Sequence, residues 1–232
     1  MSLSLCSLRR NTITATDMAT LFGLNKYESP AKLLEKKRNP VEITNNHVRR
    51  GKLKEPSVLE AFLLDANMRT TRHEGGTLGI PGRRIAATPD AYVEGTNNVV
   101  EAKSVMSHSL EKWYDEIPTH YHMQVFTQMM VVGSDHGYIG ALEEGDPKEC
   151  EYRFVAWRVE RAAEIEEMMI KEVERFWDHV TADKLFRVDS TTKRRMLELL
   201  PSTSKLLVPT VRPPKEIKSN DEELSRILSL FD

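Results

Sequence analysis

The sequence has little cysteine, no long apolar run and no marked excess of charge of either sign. Its 232 residues include two cysteines, Cys6 and Cys150, which lie far apart in the chain. Two such cysteines exclude a disulfide framework and a four-cysteine iron–sulfur cluster, and they fit a reducing cytoplasm. Because no run of about 18 or more apolar residues occurs, we expect no membrane-spanning helix. The arginines at positions 9 and 10 follow the short apolar start, so we expect no signal peptide.

The near-neutral total hides a division of charge along the chain. Lys and Arg number 33 against 35 Asp and Glu, which excludes a strongly basic, histone-like binder. Residues 1–55 nevertheless carry 11 basic and 5 acidic side chains, whereas residues 143–178 carry 6 and 12. Such segregation is typical of a protein with one surface facing a polyanion, and equally of solvated helix faces. On the first interpretation, the basic stretch faces the polyanion and the acidic stretch faces away from it.

Apolar periodicity predicts an α/β fold with a central mixed β-sheet flanked by helices. We expect helices over a short segment ending at Leu21 and over 30–38, 47–66, 119–132 and 161–178. We expect strands over 69–74, 83–87, 90–94, 98–103, 136–142 and 151–159. Prolines interrupt the pattern later in the chain. The sequence therefore predicts a single domain over 1–190 and a partly irregular C-terminal extension over 191–232.

Three charged side chains are predicted to converge around one turn. Side chains alternate along a strand, so Glu101 and Lys103 project from the same face. A turn at 95–98 brings the preceding strand back, which places Asp90 within reach of Glu101. Carboxylate oxygens suit a hard cation such as Mg²⁺, which could polarise a phosphoryl oxygen and activate a water. A surface hairpin carrying an ordinary Glu–Lys pair is the alternative, although the valines at 99–100 indicate a buried strand.

Four elements in order give the sequence a resemblance to a known family. Thr88-Pro89-Asp90 followed by Val99-Val100-Glu101-Ala102-Lys103 resembles the PD-(D/E)xK nuclease core. Three further elements are similar to the Arg…ITAS, GxxxE and YxxQ elements of lambda-exonuclease-like viral recombinases, namely residues 8–16, 51–55 and 121–124. The resemblance covers roughly residues 8–178 and implies a restriction-endonuclease-like core.

The resemblance also implies roles for individual residues in catalysis. Asp90 and Glu101 would hold the metal, with the carbonyl oxygen of Ala102 as a third ligand. Lys103 would orient the attacking water and offset the charge that develops on the phosphate. Glu55 would hold a metal-bound water, and Gln124 would hydrogen-bond near Lys103. The alternative for Glu55 is an ordinary solvated helix glutamate. The alternative for Gln124 is a polar helix stripe that faces solvent.

A second set of residues is implied in DNA binding. Arg9 and Thr16 would hold a terminal 5′ phosphate, because a guanidinium grips phosphate at two points and a hydroxyl adds a donor. The family usually has serine at the position of Thr16. Arg10 is an alternative to Arg9, and Tyr121 is a further candidate for DNA contact.

The activity implied by the resemblance is that of a phage recombination enzyme in the cytoplasm of a bacterial host. Such an enzyme degrades one strand of linear double-stranded DNA from its 5′ end, releases mononucleotides and leaves a 3′ overhang. The implied cofactor is Mg²⁺, replaceable by Mn²⁺, with two ions per site. The implied partners are double-stranded DNA ends, a single-strand annealing protein and two further copies of the chain in a ring-shaped trimer. No membrane is implied as a partner. An endonuclease on the same core and a non-catalytic DNA-end-binding protein are the alternatives.

Overall fold

The computed structural model describes the backbone of residues 8, 10–39, 46–143 and 152–208, and the side chains of these residues except 46–50. Both cysteines and Arg9 therefore lie outside the described residues. Within the described part of the chain, no helix is long and apolar enough to cross a bilayer.

Nine strands are described, and they form a large mixed sheet and a small one. The strands are β1 Ile13–Thr14, β2 Thr70–Arg72, β3 Leu78–Ile80, β4 Ile85–Ala87, β5 Ala91–Val93, β6 Val99–Val105, β7 His136–Glu143, β8 Phe154–Glu160 and β9 Ser204–Val208. The large sheet has the order β2-β5-β6-β7-β8-β9, in which only β6 and β7 run parallel. The small sheet has the order β1-β4-β3. The predicted central mixed sheet is thus confirmed, with a small second sheet beside it.

Seven α-helices are described, and local signals explain several of their ends. They are α1 Ala15–Leu21, α2 Pro30–Arg38, α3 Asn46–Ala66, α4 Ser107–Leu110, α5 Thr119–Val132, α6 Ala163–Thr181 and α7 Ser190–Leu199. The Ser29 side chain accepts a hydrogen bond from the backbone N–H of Lys32, and Pro30 takes the first helical position of α2. Gly133 adopts the left-handed conformation, φ 74°, that ends α5.

The helices cover both faces of the large sheet. α3 packs Val58 and Phe62 against Val100 of β6 on one face. Gly140 allows a close approach on this face, because a Cβ there would lie 2.6 Å from the Phe62 ring. α5 covers the other face through residues such as Met129, and α1 lies against α5. β6 therefore lies between α3 on one face of the sheet and α5 on the other, and α1 packs on α5.

The chain after residue 190, predicted as a partly irregular extension, contributes regular structure as far as it is described. α7 packs on α6, and β9 pairs antiparallel with β8, with Leu206 opposite Trp157. A buried hydrogen bond of 3.0 Å also joins Thr203 to His122 of α5. The described part, up to residue 208, therefore packs against β8 and α6. The boundary at residue 190 stays a prediction. Residues 209–232 lie outside the described residues.

Candidate active site

The β5–β6 hairpin places Asp90 beside Glu101, as predicted. Ala91 of β5 pairs with Val100 of β6 in an antiparallel register. Asp90, just before Ala91, therefore stands opposite Glu101, just after Val100. Gly95 turns the chain with a φ of 74°, a conformation that glycine adopts without strain. The Oδ2 atom of Asp90 accepts a hydrogen bond of 2.9 Å from the backbone N–H of Ala102. Asp90 is therefore held by the strand that carries its partner carboxylate.

Glu101 lies at the centre of a hydrogen-bond network that joins β6 to α5. Its side chain is 2% exposed. Lys103 and Gln124 both donate to its Oε1 atom, and Gln128 donates to its Oε2 atom. Lys103 also donates to the Oε1 atom of Gln124 over 3.1 Å. The predicted alternation is confirmed, because Glu101 and Lys103 share the face toward α5 while Val100 packs under α3.

Aromatic rings support the ammonium group of Lys103. Its Nζ atom lies 4.7 Å from the centroid of the Tyr121 ring. Tyr121 in turn stacks on the buried Trp113, with centroids 5.5 Å apart and an interplanar angle of 30°. A cation over an aromatic face is attracted by the ring quadrupole, so Tyr121 favours this position of Lys103. Whether Tyr121 also contacts DNA remains a prediction.

One cavity of about 260 Å³ joins the two predicted groups of residues. The residues that line it include the nuclease-core residues Asp90, Glu101, Ala102, Lys103 and Gln124, and also Thr14, Thr16, Lys52 and Glu55. The hydroxyl groups of Thr14 and Thr16 are 3.0 Å apart at the start of α1. The candidate metal ligands and the described part of the candidate phosphate pocket therefore open into the same space.

Glu55 reaches the cavity from α3 but is also engaged in an ion pair. Arg72 of β2 donates to its Oε1 atom over 2.8 Å. The Glu55 side chain is half-buried and its partner is largely exposed. Glu55 is thus a partly enclosed, paired carboxylate, and not the fully solvated glutamate that was the alternative. Its role in holding a water stays a prediction.

The electrostatics of the cavity bring negative charges together under partial burial. Burial and the neighbouring carboxylate of Glu101 raise the pKa of Asp90 to about 8, although Lys103 opposes the shift. Burial lowers the pKa of Lys103, but the carboxylates of Glu101 and Asp90 outweigh it and raise this pKa above its usual value. Lys103 thus stays charged. Asp90 and Glu101 carry a mutual repulsion that a bound cation would relieve.

The donor set suits a hard cation. Two carboxylates in one cavity, with the backbone of Ala102 beside them, offer the oxygen ligands that Mg²⁺ and Mn²⁺ prefer. Among the described residues, no group of three or more His, Cys, Asp or Glu side chains could hold a metal ion. A cation here would therefore need backbone or water oxygens to complete its coordination. The ligand role of the Ala102 carbonyl and the number of ions stay predictions.

Gln128 belongs to this site, although the sequence prediction gave it no role. It is fully buried one helical turn after Gln124, donates to Glu101, and contacts the backbone oxygen of Thr88 over 3.4 Å. Its i,i+4 spacing from Gln124 was the available signal. The sequence could not show that Gln124 and Gln128 are buried and face Glu101, because a polar helix stripe also fits a face turned to solvent.

We expect Gln128→Met to weaken metal binding by roughly 10- to 100-fold, the usual effect of removing a hydrogen-bond partner of a metal ligand. Methionine keeps the buried volume but leaves the Oε2 atom of Glu101 without its donor from α5. Calorimetric titration with Mn²⁺ measures the effect directly. Thr127→Val, a buried change on the same helix away from Glu101, is the control. Equal Mn²⁺ affinity in Gln128→Met and the wild type would contradict this role.

The two histidines near the site diverge, as their i,i+2 spacing predicts. His120 lies against Tyr121 with ring centroids 4.0 Å apart, whereas His122 is buried against Thr203. Burial is the main cause that lowers the pKa of each to about 4. Neither histidine is placed to share a ligand with the other.

Acid should destabilise the fold through His122. Its pKa is about 4 in the folded chain and 6.5 without burial, so the unfolded chain binds more protons between these values. The free energy of unfolding should therefore fall by roughly 3 kcal/mol as the pH drops from 6.5 to 4. In His122→Gln this part of the pH dependence should disappear in urea unfolding, with the exposed His108→Gln as control. A pH dependence in His122→Gln identical to that of the wild type would contradict the assignment.

Comparison with known proteins places this chain in a family. Residues 6–135, more than half of the chain, match the YqaJ-like viral recombinase domain. The uncharacterized protein YqaJ of Bacillus subtilis (strain 168) is 27% identical over 176 residues, which cover 73% of this chain and 53% of that protein. The chain thus spans about half the length of this curated relative.

Solved structures show the fold. The alkaline exonuclease LHK-Exo from Laribacter hongkongensis has a TM-score of 0.63 and 19% identity, over 84% of this chain and 98% of that one. The structure of LHK-Exo in complex with dAMP has a TM-score of 0.62 and 21% identity, over 83% of this chain and 97% of that one. A phage related exonuclease from Haemophilus somnus 129PT has a TM-score of 0.52 and 13% identity, over 74% of this chain and 96% of that one. The fold is that of the alkaline exonucleases, and the predicted resemblance to lambda-exonuclease-like recombinases is confirmed. The chain belongs to the YqaJ-like viral recombinase domain family.

Proposed function

We propose that this chain is a metal-dependent exonuclease acting on linear double-stranded DNA. It degrades one strand from the 5′ end, releases mononucleotides and leaves a 3′ overhang for phage-type recombination by strand annealing. The observation that carries this proposal is the single cavity in which Asp90, Glu101 and Lys103 meet the hydroxyl of Thr16. Membership of a viral recombinase family and a fold shared with proteins named exonucleases support it.

In the proposed reaction, the residues of β6 and its hairpin hold the metal and the phosphate. Asp90, Glu101 and the carbonyl of Ala102 would bind Mg²⁺, or Mn²⁺ in its place, with two ions per site. When bound, the metal supplies Lewis-acid polarisation of the phosphate and a lowered pKa for water. Lys103 keeps its proton beside Glu101 and stabilises the negative charge that develops on the scissile phosphate.

The remaining site residues orient these groups. Gln124 bridges Lys103 and Glu101 and so fixes the direction of the ammonium group. Glu55, held by Arg72 at the cavity wall, positions the attacking water. Arg9, Thr16 and Tyr121 contact the DNA end. A terminal phosphate held beside the catalytic residues would admit the strand one nucleotide at a time, in keeping with mononucleotide release.

The phosphate at the DNA end provides the test of this proposal. In Mg²⁺, linear duplex with a 5′ phosphate should be degraded roughly 10- to 100-fold faster than the same duplex with a 5′ hydroxyl. Charge-assisted hydrogen bonds of about 1.5–3 kcal/mol set this range. Thr16→Val should reduce the preference, and Arg9→Ala should abolish it, as measured by release of labelled nucleotide. Equal rates on both ends would remove the phosphate pocket from the proposal.

The proposal extends to assembly and partners. A ring-shaped trimer that threads DNA needs positive charge only along its channel, which makes a net charge of −2 tolerable. A single-strand annealing protein would take up the 3′ overhang in the cytoplasm of the host. Light scattering measures the assembly, and a monomer at working concentration would contradict the ring.

A further inference from the structure

An exposed tyrosine ends a series of aromatic contacts that begins at Lys103. Tyr27 lies between α1 and α2 and is 73% exposed. Its ring meets the His120 ring edge-on, with centroids 6.1 Å apart and an interplanar angle of 86°. His120 contacts Tyr121 at 4.0 Å, and Tyr121 lies under the ammonium group of Lys103 at 4.7 Å. The series therefore connects the candidate catalytic lysine to a ring at the surface.

The rings of this series differ in what they can still bind. Tyr121 is half-buried and already supports Lys103 while stacking on Trp113. Tyr27 is held by His120 and by Lys26, whose Nζ atom lies 4.8 Å from its ring centroid, yet most of its surface meets solvent. The exposed part of the Tyr27 ring is therefore open to a further aromatic partner.

The charge around Tyr27 favours an anionic polymer. Lys26 is exposed beside it. Glu28, the acidic neighbour in sequence, is paired with Lys36 over 2.6 Å. Burial and the charges of Lys103 and Lys26 keep the pKa of His120 near 4, so this ring remains a neutral aromatic surface at ordinary pH. An exposed aromatic beside an exposed lysine is the combination that nucleic-acid grooves use, where bases stack on rings and cations track phosphates.

We propose that Tyr27 stacks on a nucleobase of the DNA strand that enters the cavity. This inference rests on the proposed nuclease function. Each of the three steps from Lys103 to Tyr27 measures between 4.0 and 6.1 Å. At about 3.4 Å of strand per nucleotide, Tyr27 is within a few nucleotides of the scissile phosphate. Stacking tolerates every base, so the contact grips the strand without imposing a sequence preference.

Fluorescence of a terminal base tests this contact. Linear duplex with 2-aminopurine within the first few positions of the 5′ end is titrated with wild-type protein in EDTA, so that no metal supports cleavage. Stacking should quench the fluorescence at one or more of these positions. Tyr27→Ala should abolish the quenching and weaken binding by roughly 5- to 150-fold, the equivalent of about 1–3 kcal/mol per stacked base. Tyr27→Phe keeps the ring and should behave as the wild type.

A second tyrosine provides the matched control. Tyr152 is also exposed, but its hydroxyl donates to Asp65 over 3.2 Å and its ring lines a different cavity. Tyr152→Ala should leave quenching and affinity unchanged. If the wild type degrades linear duplex in Mg²⁺ while Tyr27→Ala quenches and binds equally well, the inference is wrong and the proposed function stands. The inference is also wrong if Tyr27→Phe loses as much as Tyr27→Ala. If the wild type neither binds nor degrades duplex, the proposed function fails first.

Discussion

Lys103→Met should abolish DNA cleavage in Mg²⁺ while the chain stays folded. Methionine keeps most of the length of the side chain but removes the ammonium group that contacts Glu101 and Gln124. Loss of one charge-stabilising donor typically costs about 10²–10³ in rate, and the loss of a full charge should reach at least that range. Steady-state release of labelled nucleotide from linear duplex measures it. The exposed Lys112→Met is the control, and normal cleavage by Lys103→Met would contradict the role of this residue.

Both carboxylates of the same site should be needed for cleavage, and Asp90 should not be needed for stability. Asp90→Asn and Glu101→Gln should each abolish cleavage, because each removes a charge that the metal needs. The raised pKa of Asp90 means that its ionisation is harder in the folded chain than in the unfolded chain. Stability from this group is present below its unfolded value of 3.8 and is lost as the pH rises through about 8. Asp90→Asn, which imitates the protonated form, should therefore unfold at a higher temperature than the wild type near pH 9. A lower unfolding temperature would make its inactivity a folding defect.

Closed circular duplex should survive conditions in which the same molecule, once made linear, is resected to single-stranded DNA. The proposed reaction begins at a terminal phosphate held in the cavity that Thr16 and Lys103 share, and a continuous strand has no such end. Gel electrophoresis of the closed circle and of its linear form, after incubation of each in Mg²⁺, measures the difference. Nicks or breaks in the circle would favour the endonuclease alternative. Binding of the linear form without degradation would favour a non-catalytic end-binding protein.

The elements that could be predicted are those whose signals are local. The bounds of α5 follow from its apolar line and Gly133, and those of α2 from Ser29-Pro30. The hairpin that carries Asp90 and Glu101 follows from strand alternation and the turn at Gly95. The convergence of Asp90, Glu101 and Lys103 could therefore be predicted from the sequence alone.

The elements that could not be predicted depend on distant partners. β1 has two residues and exists because it pairs in parallel with β4, some seventy residues later in the chain. β9 likewise needs β8, from which it is separated by α6 and α7. Segments this short hold no periodicity that separates them from loops. Their strand character lies in hydrogen bonds to segments that sequence spacing cannot locate.

The charge division was only partly informative for the same reason. Lys37 and Arg38 belong to the basic stretch, but Lys37 pairs with Asp17 over 2.8 Å and Arg38 with Asp183 over 3.1 Å. These cations hold the domain together and are not available to a polyanion. Lys52 of the same stretch does line the cavity. Net charge over a segment cannot distinguish these two uses, because the distinction depends on which helices pack together.

The pairing of β9 with β8 has a consequence for shortening the chain. β8 is a seven-residue strand whose first four residues are all buried, and β9 covers its outer edge. Removing the residues after 190 would bare a long apolar edge whose unpaired N–H and C=O groups would pair with any strand in a neighbouring molecule. β2, the opposite edge, has three residues, which offers little to such pairing. A chain ending at 190 should therefore aggregate more readily than a chain ending at 208, which keeps β9 on that edge.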